Sequence, residues 1–319
     1  FVLIKFNLNK YIALLYTVCF SILCYPISGT PFAYIHSYVL SLLAILIFIY
    51  SVKFENKILF FFLPIIMFLS FASMQNPSSF INLILLISIL SYIFILKKFE
   101  IFKFFLGGCV FILISILLFL NLNKIPIESI FQQYFLFPLT MAESRIYGND
   151  MAHISLSGGF TFRNIVGHFK FINLYILLFI FFSFLEIKKQ KLSKKNLILN
   201  LIFIFSAIFL IFNQLITSNQ TFIFSIIPFI GGFFHVYIND RFLNLKKFQI
   251  FLLLFISLTT IKYHLEYNEK RKFMDLQNVN LKKYIEGSSI DKKLKGLKWI
   301  TPTYSNNPKE EAKILKDTI

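Results

Sequence analysis

Long apolar runs separated by short polar connections make up most of the chain. A helix needs about 20 mostly apolar residues to cross the hydrocarbon core of a membrane. Nine such runs occur, at 11–27, 32–52, 58–74, 79–96, 104–122, 171–187, 197–216, 222–238 and 248–264. They show no alternation with a period of two, so they indicate helices rather than barrel strands. We predict an all-α polytopic membrane protein with about nine transmembrane helices over 1–264 and a basic tail over 265–319.

The basic residues are concentrated in every second connection. They are Lys5 and Lys10 at the N-terminus, Lys53 and Lys57, then Lys97, Lys98 and Lys103, then Lys188, Lys189, Lys191, Lys194 and Lys195, and finally Arg241, Lys246 and Lys247. The short connections near 29–31, 75–79 and 218–221 contain no Lys or Arg. By the positive-inside rule the N-terminus is cytoplasmic and the C-terminus extracytoplasmic. We therefore predict a multi-pass protein of the inner or plasma membrane.

The same alternation places the connection after the fifth span, at 123–170, on the extracytoplasmic side. A loop of this length is uncommon unless it has a function. Its segment 125–137 has the pattern of an amphipathic helix that lies in the membrane interface, with Pro126 in the first turn. The apolar positions spaced i, i+3, i+4 and i+7 are Ile127, Ile130, Phe131 and Tyr134.

The tail also lies on the extracytoplasmic side by this alternation. It contains a Lys-rich segment at 282–298 and the single tryptophan, Trp299. We predict one or two short helices and a terminal turn. Because the tail has few aliphatic residues, it is too small for a substantial core of its own.

Composition supports lipid as the solvent. The chain is 57% hydrophobic, has a mean hydropathy of +0.73 and contains 44 Phe, which is more apolar surface than a soluble fold can bury. The net charge of +17 does not indicate nucleic-acid binding, because the cations lie between apolar runs and in the tail. They are typical of topology signals and of contacts to anionic lipid. Membrane lipid is therefore the expected partner.

Polar residues at the outer ends of spans are candidate functional positions, because they are costly in lipid. They are His36, Gln75, Asn76, Asn213, Gln214, Asn219 and Gln220. The alternative is that these side chains cap helix ends or bridge neighbouring helices.

Three cations near the outer face form a second candidate group. Arg145, Arg163 and His168 all belong to the long connection, and guanidinium groups are well suited to bind phosphate. The alternative is that they are solvated loop charges, with Glu143 beside Arg145.

Familiar catalytic signatures are absent from the sequence. It has no phosphate-binding Walker loop, HExxH, GxSxG or dinucleotide fingerprint. Cys19, Cys24 and Cys109 lie in apolar stretches and indicate packing rather than a metal or disulfide. The few charges within spans do not form the midplane relay expected of an ion-coupled transporter. The pairs Gly107-Gly108 and Gly231-Gly232 predict close helix packing.

Three segments resemble the GT-C superfamily of membrane glycosyltransferases, which use polyprenyl-phosphate sugars. They are Ser28–His36 leading into a span, Leu69–Pro77 ending a span, and Gln132–Pro138 followed by Arg145. Met74 stands where those enzymes often have Lys. The resemblance implies sugar transfer at the outer face, with Arg145, Arg163, His168, His36 and Gln75 binding the donor.

The resemblance also implies a catalytic Asp or Glu in the first outer loop. Residues 25–36 contain no carboxylate. Since the chain begins with Phe1 rather than Met, we expect that base, with two further spans, upstream of Phe1. The alternatives are that the chain is a transporter or flippase for a lipid-linked glycan, or a non-catalytic membrane scaffold. The sequence identifies neither a cofactor nor a metal site.

Overall fold

A computed structural model describes most of the chain, as two compact units, Phe1–Ile261 and Lys262–Ile319. The division falls close to the predicted end of the transmembrane domain at residue 264. The residues described are 1–24, 33–140, 161–216, 223–242, 244–269, 282, 284–299 and 308–318.

The larger unit consists of helices joined by short connections. Its helices are α1 (Val2–Lys5), α2 (Lys10–Cys24), α3 (Ala33–Phe54), α4 (Lys57–Ser73), α5 (Gln75–Ile95), α6 (Phe99–Leu122), α7 (Ile127–Phe131), α8 (Lys170–Lys188), α9 (Lys194–Ile216), α10 (Ile226–Arg241) and α11 (Lys246–Tyr263). Seven helices of the described residues are long and apolar enough to cross a membrane, while α2 and α4 are apolar but shorter. The predicted helical membrane class is confirmed at this level.

The shorter helix α4 ends where the backbone becomes extended. Helix α4 has 17 residues, which span about 25 Å at about 1.5 Å per residue. Met74 then adopts an extended conformation with φ −167°, and α5 begins at Gln75. Helix α2 has 15 residues, and the rest of its predicted span, 25–27, lies outside the described residues.

The basic connections meet at one end of the helix bundle. Four ion pairs of the described residues join them there, and we call this end the basic end. The pairs are Lys53–Asp240, Lys57–Glu100, Lys98–Glu55 and Arg241–Glu186. The alternation of charge along the sequence therefore corresponds to a segregation of charge in space. That the basic end faces the cytoplasm stays a prediction.

One of these pairs lies wholly in the connections between helices. The Nζ of Lys98 donates hydrogen bonds to both carboxylate oxygens of Glu55, each at 2.9 Å. These bonds hold the pKa of Glu55 below its ordinary value. Both side chains are substantially exposed, so solvent screening limits the pair to at most about 1 kcal/mol.

Two glycines allow helices to approach closely, as the sequence predicts. A Cβ at Gly108 would overlap the backbone oxygen of Phe61, so α6 crosses α4 with no room for a side chain. A Cβ at Gly231 would lie 2.7 Å from the Oη of Tyr175. Close packing is thus confirmed at both positions. At Gly107 the nearest atom would be 3.6 Å away, which is an ordinary contact.

The predicted interfacial segment is helical. Helix α7 continues as a π-helical turn, Gln132–Leu136. The rings of Tyr134 and Phe71, from the end of α4, are 6.1 Å apart, whereas Ile127 and Phe131 are exposed. Exposed apolar side chains are what a helix in the membrane interface presents to lipid, and the interfacial position of this segment stays a prediction.

The smaller unit contains a short hairpin and a terminal helix. Strands β1 (Ile285–Glu286) and β2 (Lys298–Trp299) pair antiparallel, and α12 covers Pro308–Thr318. Two short 3₁₀ helices, Gly287–Ser289 and Lys292–Leu294, lie between the strands. The hairpin itself was not predicted. Gly287 approaches the backbone of Leu294 too closely for a Cβ, and Gly296 has φ +91°, so the chain reverses here.

Replacing Gly108 by Ala should destabilise the bundle by about 1–3 kcal/mol, as overpacking does. Gly107→Ala is the matched control, because it makes the same change on the same helix without the clash. We expect a lower Tm in detergent for Gly108→Ala and little change for Gly107→Ala. Equal Tm values would contradict the close approach of α4 and α6.

Candidate functional site

The end opposite the basic end buries a group of amide and phenol side chains. The Nδ2 of Asn213 donates a hydrogen bond to the Oη of Tyr34, and the Nε2 of Gln214 donates to the same oxygen at 3.4 Å. Asn213 and Gln214 are almost completely inaccessible to solvent. We call Tyr34, Asn213 and Gln214 the amide cluster, and it couples α3 to α9.

Gln214 retains an acceptor within this cluster. Its Oε1 is buried and has no hydrogen-bond partner among the described residues. A buried polar atom without a partner is costly, so such atoms in native proteins call for an explanation. A hydroxyl or amide of a bound substrate would satisfy it.

Two more hydrogen bonds fix α3 beside the amide cluster. The Oγ of Ser37 donates to the backbone oxygen of Met74 at 2.8 Å, and Tyr38 and Ser225 share a hydrogen bond of 2.8 Å between their hydroxyls. They tie α3 to the α4–α5 junction and to the start of α10. The polar face of α3 is therefore held from three sides.

Two predicted site residues, His36 and Gln75, lie at this end but differ in exposure. Tyr34, Ser37 and Tyr38 are buried on one face of α3, while His36 is exposed, since two residues correspond to about 200° around a helix. His36 is therefore not part of the amide cluster. Gln75 is half-buried at the start of α5, directly after Met74.

Two more predicted residues, Arg163 and His168, come from the long connection. Arg163 and His168 begin and end a π-helical turn that leads into α8. Arg163 is exposed, while His168 is half-buried with its ring 5.7 Å from that of Phe224. Phe224 precedes Ser225, so His168 lies at the same end as the amide cluster. Arg145, Glu143, Asn219 and Gln220 lie outside the described residues.

An apolar groove runs between α5 and α9 below the amide cluster. Its volume is about 340 Å³, and its lining includes Leu83, Ile87, Leu201, Phe205 and Phe209. The ring of Phe209 stacks on Phe80 at 5.6 Å. Asn213 follows Phe209 by one helical turn. The groove therefore leads along α9 towards the amide cluster.

Sequence reasoning missed a buried pair deeper in the bundle. The Oη of Tyr16 and the Nδ1 of His235 share a hydrogen bond of 3.2 Å, and both side chains are buried. The signal that could have found it is the histidine itself, because an ionisable residue in an apolar span is a candidate site.

Glu186, near the basic end, was also missed. It is buried, and its Oε2 accepts a hydrogen bond of 2.6 Å from the Oη of Tyr237. Glu186 is the acidic residue inside the predicted span 171–187, which was the available signal. Polar groups consequently occur at three depths of the bundle.

The described side chains do not form a recognisable metal centre. No three His, Cys, Asp or Glu side chains come together in the part of the chain that the structure describes. The amides of the amide cluster do not titrate, so they can orient a substrate but cannot take up its proton. No family model, curated protein or solved structure matches this chain. Its function must therefore be inferred from the geometry of the site.

Replacing Tyr34 by Phe should destabilise the protein by about 1 kcal/mol, because Asn213 and Gln214 lose the oxygen that accepts from them. Tyr11→Phe is the matched control, since Tyr11 is exposed on α2. Thermal unfolding in detergent compares the two variants. A Tm of Tyr34→Phe equal to that of the control would show that the amide cluster does not couple α3 to α9.

Proposed function

We propose that the protein transfers a sugar from a polyprenyl-phosphate donor at the end of the bundle that carries the amide cluster. The observation that supports this most is the continuity between the apolar groove and the amide cluster, which are one helical turn apart on α9. A donor with a long apolar chain and a polar head matches both.

The groove suits the chain of such a donor. Its lining is largely apolar, and about 340 Å³ is within the range of about 300–1,000 Å³ for ligand pockets. Phe205 and Phe209 provide flat apolar surfaces along one wall. A chain in this groove would lie between helices, with its head towards Asn213.

The polar head would meet the residues at the adjoining end. The Oε1 of Gln214 offers an acceptor to a sugar hydroxyl. Arg163, His168 and the undescribed Arg145 are the cations proposed to bind the phosphate, which leaves with the electron pair of the bond to the sugar. By the resemblance to GT-C enzymes, a carboxylate outside the described residues takes the proton from the acceptor hydroxyl.

One observation favours a second function, movement of a lipid-linked glycan across the membrane. A transporter needs polar groups at several depths, and the bundle has three such levels. They are the amide cluster, the Tyr16–His235 pair and the Glu186–Tyr237 pair. In a non-catalytic scaffold the same groups would only bridge neighbouring helices.

Replacing Arg163 by Gln should slow release of sugar from a polyprenyl-phosphate sugar by about 10-fold or more, since a hydrogen bond to a charged group is worth about 1.5–3 kcal/mol. The assay uses the protein in liposomes with labelled donor and acceptor. Lys170→Gln is the control, because it removes another exposed cation nearby.

The same liposomes separate the three functions. An enzyme releases sugar, a transporter moves intact donor between leaflets, and a scaffold does neither. Normal turnover by Arg163→Gln would remove Arg163 from the proposed site, and movement without release would favour the transporter.

Replacing Ser91 by Phe should raise the KM for the donor several-fold, because the new ring occupies the groove that Ser91 lines. Ser115→Phe places the same ring on an exposed position of α6 and serves as the control. Steady-state kinetics with donors of different chain length provide the measurement. If the KM of the two variants were the same, the chain would bind elsewhere.

A further inference from the structure

A second cavity lies at the basic end, away from the groove and the amide cluster. It has a volume of about 70 Å³. Apolar rings, including those of Phe179, Phe203 and Phe233, form part of its wall. Its polar lining includes Lys53, Asn196, Asn200, Tyr237, Asp240 and Arg241.

The two cations in this lining are only loosely paired. The Nζ of Lys53 lies 3.6 Å from the Oδ2 of Asp240, and the Nε of Arg241 lies 3.8 Å from the Oε1 of Glu186. Both distances exceed those of hydrogen bonds, about 2.7–3.2 Å. Each cation therefore still has N–H groups that these carboxylates do not engage.

Asn196 adds a donor that has no acceptor. Its Nδ2 is buried and has no hydrogen-bond partner among the described residues. Asn200, one turn further along α9, donates to the Oγ of Ser183 at 2.8 Å and so is satisfied. The unmatched donor of Asn196 indicates that an acceptor is missing from this cavity.

The charges around the cavity also favour an anion. The two cations that line the cavity, Lys53 and Arg241, outnumber its one lining carboxylate, Asp240. Glu186 already accepts a hydrogen bond from Tyr237. The cavity thus combines an excess of positive charge with an excess of donors.

We propose that this cavity binds a phosphate group through Lys53, Arg241 and Asn196. Its volume is several times the roughly 10–15 Å³ that one water requires, so it has room for a tetrahedral oxyanion. The phosphate belongs to a lipid head group or is free phosphate. This site is separate from the proposed transferase site, because it occupies the other end of the bundle.

Asn196→Asp tests the proposal with almost no change in side-chain volume. It removes the amide donor and adds a negative charge, which repels phosphate. Lys194→Gln is the matched control: Lys194 is exposed beside the cavity without lining it, and the change alters the net charge equally.

A second variant, Asn196→Leu, removes the donor without adding charge. The Tm of each variant, measured without added phosphate or lipid, shows whether it folds.

Two probes distinguish the sources of the phosphate. Native mass spectrometry measures retained phosphatidylglycerol, and thermal unfolding measures stabilisation by inorganic phosphate. We expect the folded Asn196→Asp protein to lose about 10-fold or more in affinity for at least one probe. The Asn196→Leu protein should bind that probe more weakly than wild type, and the Lys194→Gln protein should bind it as wild type does. Loss with the lipid identifies a head-group site, and loss with inorganic phosphate identifies a free-phosphate site. If wild type and Asn196→Asp bind both probes equally, the proposal is wrong.

Discussion

Lipid offers no hydrogen bonds, and this constraint governs where polar groups occur in the bundle. Backbone groups are satisfied within helices, and polar side chains gain partners by facing other helices. Helix α3 illustrates the result, since Tyr34, Ser37 and Tyr38 each reach a different neighbouring segment. The inward polar face of α3 therefore holds the bundle together at the end where we place the transferase site.

The two ends of the bundle satisfy this constraint differently. At the basic end, charged side chains pair at the surface, and only Glu186 among the carboxylates of the four ion pairs is buried. At the other end the buried partners are neutral amides and phenols, which avoid the cost of burying a charge. A polar but uncharged pocket beside an apolar groove favours a ligand that is itself amphipathic. The phosphate-sized cavity at the basic end has the opposite character, with donors and cations in excess.

Close helix packing places these features at their positions. The contact of α6 with α4 depends on Gly108, and the contact of α10 with Tyr175 depends on Gly231. Next to Gly231, the pair Tyr16 and His235 occupies a level between the two ends. Polar groups at three depths are the feature that keeps transport of a lipid-linked glycan as the alternative to sugar transfer.

The sequence by itself determined the membrane class, most helix positions and the segregation of charge, because hydropathy and charge act locally along the chain. It also identified Asn213, Gln214 and the close packing at Gly108 and Gly231. Only the tertiary structure decided that Tyr34 joins the two amides while His36 is exposed, and that His235 pairs with Tyr16. Those contacts link positions as much as 219 residues apart, and which helix faces meet depends on packing geometry that no local pattern contains. The hairpin at 285–299 was missed for a related reason, since its turns depend on the close approach of Gly287 to Leu294.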